Sequence, residues 1–230
     1  MSLRVAVFAS GGGSNLQALL DNFNTHDRVA RIVLVVSDRE DAPALERARK
    51  AGIEAVVIPV TGRPMDYVSR ETLVTLESAD VDLIALAGYL RLVPPAVVRR
   101  YRNRILNIHP ALLPAFGGKG MFGVRVHRAV LDAGAKISGA TVHLVDEEYD
   151  TGAIIAQWPV PVLPGDTPEA LAARVLRVEH LLYPAALETV AHRLESGDEP
   201  ESHAARNGAF TWSAEPAPTA SDIRRALNLE

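Results

Sequence analysis

Cysteine is missing from all 230 residues. Its absence excludes disulfides, thiolate zinc sites and a cysteine nucleophile, and it suits a reducing interior. An excess of positive charge is missing too, since 24 basic residues face 28 acidic ones for a net charge of -4. A broad basic face for nucleic acid is therefore not expected. No apolar run approaches the ~20 residues that cross a bilayer. Val5–Phe8 is too short for a signal segment and runs directly into Gly11-Gly12-Gly13. There is no G-x-S-x-G elbow for a serine hydrolase, no His-Glu-x-x-His and no close His/Asp cluster for a metal. Nothing repeats at a fixed period, which rules out a solenoid. The remaining composition, 48% apolar and 23% charged, is that of an ordinary globular protein. One sizeable cytoplasmic domain is expected, with or without an appendage.

Along the chain, short aliphatic runs alternate with helix-like segments. Residues 3–9, 32–37, 55–59, 81–87 and 104–108 read as strands. Residues 15–23, 42–51, 65–78 and 94–101 read as the helices between them. Four crossovers in succession predict a Rossmann-like, doubly wound and mostly parallel α/β sheet. After a further helical stretch at 127–133, two long strand-like runs at 137–145 and 153–162 stand only a few residues apart, predicting an antiparallel extension at the C-terminal side. A long amphipathic helix follows from about Pro168 to Leu194, with Thr167 as its N-cap. Past Ser196 the composition shifts toward Gly, Asp, Glu, Pro and Ala, and residues 211–230 read as a loosely held tail behind a domain of residues 1–210.

Asn107-Ile108-His109-Pro110 carries the most chemistry. Side chains alternate along a strand, so Asn107 and His109 leave on one face, and Pro110 ends the strand just beyond them. A carboxamide and an imidazole then meet at the C-terminal rim of the sheet, where open α/β folds place their sites. Aimed at one point, they would stabilise a developing oxyanion, the central need in acyl transfer. The first strand leads into Ser10-Gly11-Gly12-Gly13-Ser14-Asn15 and then a helix. Glycines let backbone amides approach a ligand, and the helix N-terminus adds its dipole, so a phosphate monoester fits. The loop is neither a dinucleotide fingerprint nor a Walker A loop. Its plainer reading is a tight turn capped by Ser14 or Asn15, though three consecutive glycines exceed what a turn requires.

A second polar cluster is Asp146-Glu147-Glu148-Tyr149-Asp150-Thr151-Gly152. Asp146, Glu147 and Glu148 read individually as a solvated hairpin loop, whereas Asp150 at the turn into the next strand could be held inward. A carboxylate near His109 would raise the imidazole pKa and favour the charged form. His143 is open between lining the site and a bonded core group, and His127, His180 and His192 read as helix-surface residues.

The glycine loop, Ala87-Gly88-Tyr89-Leu90-Arg91, Asn107-Ile108-His109-Pro110-Ala111-Leu112-Leu113-Pro114 and Val142-His143 with Asp150-Thr151-Gly152 occur here in that order. So ordered, and continued by Arg174-Val175, Glu179-His180 and Tyr183-Pro184 to about Phe210, they resemble the folate-dependent formyltransferases, within them the phosphoribosylglycinamide formyltransferases of purine synthesis. The resemblance implies the formyltransferase fold and a catalytic trio of Asn107, His109 and Asp150. It implies that Gly12, Gly13, Ser14, Asn15 and Glu179 bind the ribonucleotide phosphoribosylglycinamide. It further implies that Leu90, Arg91, Leu92 and Val93, with Asn107 and the loop Asp146, Glu147, Glu148, Tyr149 and Asp150, hold the co-substrate 10-formyltetrahydrofolate. No metal, nucleic acid or membrane is implied, and a homodimer is left open. An arginine that some members place on the folate falls near Met65, with Arg63 displaced from it, and Lys119 sits in a loop longer than in several relatives. A formyltetrahydrofolate hydrolase could use the same trio, but the phosphate loop would then lack a purpose. A tRNA formyltransferase would want a basic additional domain, and a non-catalytic folate or nucleotide module on the same fold would not need the trio.

Overall fold

The computed structural model of the chain describes residues 2–24, 28–198, 200 and 219–226. They fall into two compact units, one running up to Asn107 and including Val145–Glu147, the other made of Ile108–Leu144 and the described residues from Glu148 on.

The first unit opens with β1 (Leu3–Phe8), α1 (Ser14–Phe23), β2 (Ala30–Ser37), α2 (Pro43–Lys50), β3 (Glu54–Val57), α3 (Met65–Ser78), β4 (Leu83–Leu86), α4 (Pro95–Arg100) and the start of β5 (Ile105–His109). The expected strands and helices are all present, with ends shifted by a few residues. β1 pairs in parallel with both β2 and β4, β2 with β3, and β4 with β5. Parallel strands joined through helices are covered on both faces, which is why β4 reads as an unbroken apolar run, Leu83-Ile84-Ala85-Leu86, with every residue buried. Phe8, Leu34, Val36, Ile84 and Ile105 of the strands pack with Val68, Leu76 and Val97 of the helices in one core cluster. The strand order places β2 on one side of β1 and β4 on the other. The chain therefore changes winding direction between β1 and β4, and the segments leaving their C-terminal ends diverge there. One is the glycine loop; the other is Gly88–Val93.

The second unit contains α5 (Val124–Asp132), β6 (Ile137–Leu144), β7 (Ile154–Pro161), α6 (Pro168–Ser196) and α7 (Ala220–Ala226). β6 and β7 are antiparallel, and their register slips between Val142 and His143. Such an irregularity re-aims the side chain next to it, here His143. Helix α6 starts as expected, since Thr167 accepts from the Ala170 N–H at 3.2 Å and Pro168 takes the first position, where its missing N–H costs nothing. Leu171, Val175, Val178 and Leu182 recur at helical spacing and are buried. Within the stretch expected to be loosely held, residues 220–226 form α7, with Ile223 buried and Arg224 on Glu188 of α6 at 2.6 Å. The large apolar residues of this stretch, Trp212, Ile223, Leu227 and Leu229, are too few to give a sustained helical period.

The strand order is β3-β2-β1-β4-β5-β6-β7 in a mixed, seven-stranded sheet that is parallel over its first five strands, as the alternation predicts. No helix among the described residues is long and apolar enough to cross a membrane.

Candidate active site

β5 ends at His109, one residue beyond the expected end, where Pro110 removes the next ladder donor. His109 is 3% exposed. Its Nε2 lies 2.9 Å from the Phe116 carbonyl oxygen, which can only accept, so Nε2 carries a proton. Its Nδ1 faces Asp150 Oδ2 at 3.6 Å, close enough for charge but long for a hydrogen bond. On its other side Asp150 Oδ1 stands 3.6 Å from Nε2 of His143, whose Nδ1 donates to the Leu144 carbonyl at 2.7 Å. His143, left open by the sequence, is thus buried beside the carboxylate. Asp150 itself has a left-handed backbone, φ 60°, and accepts from the Gly118 N–H at 2.8 Å.

These contacts correct the charge expected for His109. Burial pushes its pKa below the ordinary 6.5, and the opposing pull of Asp150 and the Phe116 carbonyl does not offset that, with His143 adding to the depression. In the free protein His109 is therefore mostly neutral at neutral pH. For Asp150 burial acts to raise the pKa, but the neighbouring His143 and the hydrogen bond from the Gly118 amide outweigh it and leave the carboxyl below the usual carboxylate value.

The segment after β5 is locked by a polar knot. Thr141 Oγ1 donates to the Ala111 carbonyl at 2.6 Å and accepts from the Leu113 N–H at 3.1 Å. Gln157, its cross-strand partner, donates to the Leu113 carbonyl at 2.8 Å and to Thr141 Oγ1 at 3.1 Å. Gly117 completes the fit, because a Cβ there would come 2.5 Å from Leu113 Cδ2 and 3.2 Å from Asp150 Cβ. None of Thr141, Gln157, Phe116 or Gly118 stood out beforehand. Two polar residues opposite each other in an apolar hairpin were the one available signal.

His127 also departs from its reading as a surface residue. It is 3% exposed on α5, its Nδ1 has no hydrogen-bond partner, and burial first, then the charge of His109, lower its pKa to about 4. His180 is half-buried rather than on the surface, and His192 is exposed as expected. Glu179 lies buried on α6. Among the described residues no group of three or more His, Cys, Asp or Glu could hold a metal ion.

In the first unit, Asn107 is half-buried two residues before His109 on β5, on the same face by strand alternation. The glycine loop does not follow the side-chain-capped alternative: Gly13, at φ 70°, is itself the N-cap of α1, and no side chain caps that helix. A Cβ at Gly13 would sit 2.9 Å from Ala44 Cβ, so both backbone angle and space require glycine. The segment after β4 is tied to the same region: the Leu90 N–H donates to Ser10 Oγ at 2.9 Å, and Arg91 Nε to Asp38 Oδ2 at 2.7 Å. Asp38 is almost wholly buried, with Oδ1 left without a partner. Leu90 and Arg91 are exposed while Val93 is buried. Glu147 is also exposed, in an ion pair with Arg99 at 3.1 Å. Glu148 and Tyr149 are exposed and Asp146 half-buried. Arg63 is held by Glu71 at 2.7 Å and by the Pro59 carbonyl, near the exposed Met65, and Lys119 is exposed.

A buried His–Asp pair at the end of a parallel strand is equipped for acyl-group chemistry, and comparison with known proteins gives that class its family. The sequence profile described as "Formyl transferase" matches residues 3–187, and the chain belongs to this family. It is 50% identical over 182 residues to the chloroplastic phosphoribosylglycinamide formyltransferase of Arabidopsis thaliana, covering 78% of this chain and 62% of that one. The chain spans about 60% of the length of the curated plant relatives it matches. Among solved structures, glycinamide ribonucleotide transformylase 1 from Symbiobacterium toebii is 43% identical, with a TM-score of 0.77 over 83% of this chain and 88% of that one. Phosphoribosylglycinamide formyltransferase from Brucella melitensis is 45% identical, with a TM-score of 0.76 over 83% and 96%.

Proposed function

We propose that this chain transfers the formyl group of 10-formyltetrahydrofolate to the amino group of 5'-phosphoribosylglycinamide, giving the N-formyl product in purine synthesis. The carrying observation is the buried His109 set between the Phe116 carbonyl and Asp150, in a chain whose close relatives bear that enzyme's name.

The acceptor amine, with a pKa near that of an α-amino group (~8), attacks the formyl carbon with little help in deprotonation. A C–N bond forms, the carbonyl oxygen becomes an oxyanion, and Asn107 donates a hydrogen bond to it. His109, neutral at rest, takes up a proton as negative charge develops nearby, because an adjacent anion favours the imidazolium. Asp150 stabilises that charge and guides the proton from the incoming to the leaving nitrogen. Collapse breaks the bond to the folate nitrogen, which leaves protonated as tetrahydrofolate. Gly12, Gly13, Ser14, Asn15 and Glu179 take the ribonucleotide in this reading, with loop amides on its phosphate. Leu90–Val93 and residues 146–150 take the folate. No metal is needed. Residues 1–210 act as the catalytic part and 211–230 as its tail, and the reaction is assigned to the cytoplasm.

The test is a formyl-transfer assay with and without the ribonucleotide. Product should form only in its presence, and His109→Ala should lower kcat by something on the order of 10² or more with folate binding kept. Equal release of formate without any ribonucleotide would replace the transferase with a hydrolase.

A further inference from the structure

The first turn of α2 is built against the glycine loop, and the contacts run through the loop's carbonyl groups. The Ala44 N–H donates to the Gly11 carbonyl at 3.1 Å. Arg47 Nε donates to the Gly12 carbonyl at 2.8 Å. The Gln17 N–H takes the Gly13 carbonyl at 2.9 Å as the first turn of α1. Arg47 then reaches across, its Nη1 donating to Gln17 Oε1 at 3.1 Å, while its Cδ is among the atoms that would crowd a Cβ on Gly13. A single half-buried guanidinium thus fastens the loop to the helix that follows it.

We infer that Arg47 is a positioning residue for the phosphate of the acceptor substrate, setting the glycine loop so that its amides, not its carbonyls, meet the anion. This rests on the proposed assignment of the loop to the ribonucleotide. The physical reason is electrostatic. Loop carbonyl oxygens carry negative partial charge and would repel a phosphate if they turned toward it. All three carbonyls of Gly11–Gly13 are engaged by donors from α1 and α2, and the charged donor falls on the middle one. A charge-assisted bond to a flexible, side-chain-free segment is the one whose loss frees the loop most. Lysine could not replace the role in full, since one ammonium cannot reproduce the rigid fork that spans Gly12 and Gln17.

The experiment compares wild type, Arg47→Lys and Arg47→Ala in steady-state formyl transfer, with inorganic phosphate as a competitive inhibitor against the ribonucleotide. Arg47→Ala should raise KM for the ribonucleotide and the inhibition constant for phosphate by about tenfold, the equivalent of one charge-assisted bond. KM for 10-formyltetrahydrofolate should stay within about twofold, and Arg47→Lys should fall between the other two. A ribonucleotide KM unchanged in Arg47→Ala, or a folate KM rising in parallel with it, would overturn the positioning role. Failure of phosphate to compete with the ribonucleotide in wild type would instead remove the loop assignment itself, and the role of Arg47 with it.

Discussion

His109 meets two demands that pull against each other. Burial disfavours its charge, yet the proposed chemistry asks it to accept a proton at the moment an oxyanion forms. Asp150 reconciles them by standing 3.6 Å from Nδ1, too far to fix the proton beforehand and near enough to attract it when the balance shifts. Asp150→Asn preserves shape and keeps an oxygen for the Gly118 amide, so it isolates the charge. Removing the one carboxylate that raises the His109 pKa should lower that pKa further, so that the imidazole titrates at more acidic pH in the variant. An NMR titration of the ring protons reads this directly, and a pKa that rises or stays put contradicts the assigned role. Turnover should fall by roughly 10² as well. At this scale strand alternation put Asn107 and His109 on one face, while Asp150 entered the proposed trio only through the family resemblance. The backbone partners at Phe116 and Gly118 had no such signal, because a main-chain carbonyl or amide is present at every residue and only the folded loop selects one.

Among the elements, the turn from β1 into α1 is constrained by a neighbour distant in sequence. Three glycines were visible as a loop able to approach a ligand, but the need for glycine at position 13 comes from Ala44 on α2, which no local pattern predicts. Gly13→Val places a β-branched side chain at φ 70° and against Ala44. We expect KM for the ribonucleotide to rise strongly and KM for 10-formyltetrahydrofolate little, with kcat falling only if the amine loses its orientation. Equal effects on both substrates would mean the substitution disturbs the domain rather than the loop. The hairpin of β6 and β7 makes the same point. Its existence followed from two adjacent apolar runs, whereas the Thr141–Gln157 pairing that fastens Ala111 and Leu113 depends on register, which only the assembled sheet defines.

For the molecule as a whole, the alternation of apolar runs was enough to predict the order and type of the strands and helices from β1 to α6, though not α7, because each crossover has a period and a length of its own. Burial of individual polar residues was less legible. His127 shows the cost. It sits three residues before the buried Val130 on α5, but polar chemistry alone suggested the surface. Its consequence is a stability that depends on pH. The folded chain holds this imidazole near pKa 4 against an ordinary 6.5. Above 6.5 both folded and unfolded states carry it neutral and the full stability is present. As pH falls through that window the unfolded chain binds the proton first, and stability declines by about 3 kcal/mol in all by the lower end. Urea unfolding at pH 7, 6 and 5 should show this fall, with a visibly shallower slope in His127→Gln. Parallel slopes in the two proteins would assign the pH dependence to other groups.

The bond from the Gly118 N–H to Asp150 makes the loop a natural indicator for its own carboxylate. Protonating Asp150 withdraws the charged acceptor, and the amide must respond at the same pH. Because the pKa is lowered, the shift of the Gly118 resonance that follows protonation of Asp150 should be centred below the usual carboxylate value. A ligand that takes hold of Asp150 would shift that same signal without any change of pH. One backbone amide can thus serve as the readout for screening compounds against this carboxylate, with no assay of turnover at all.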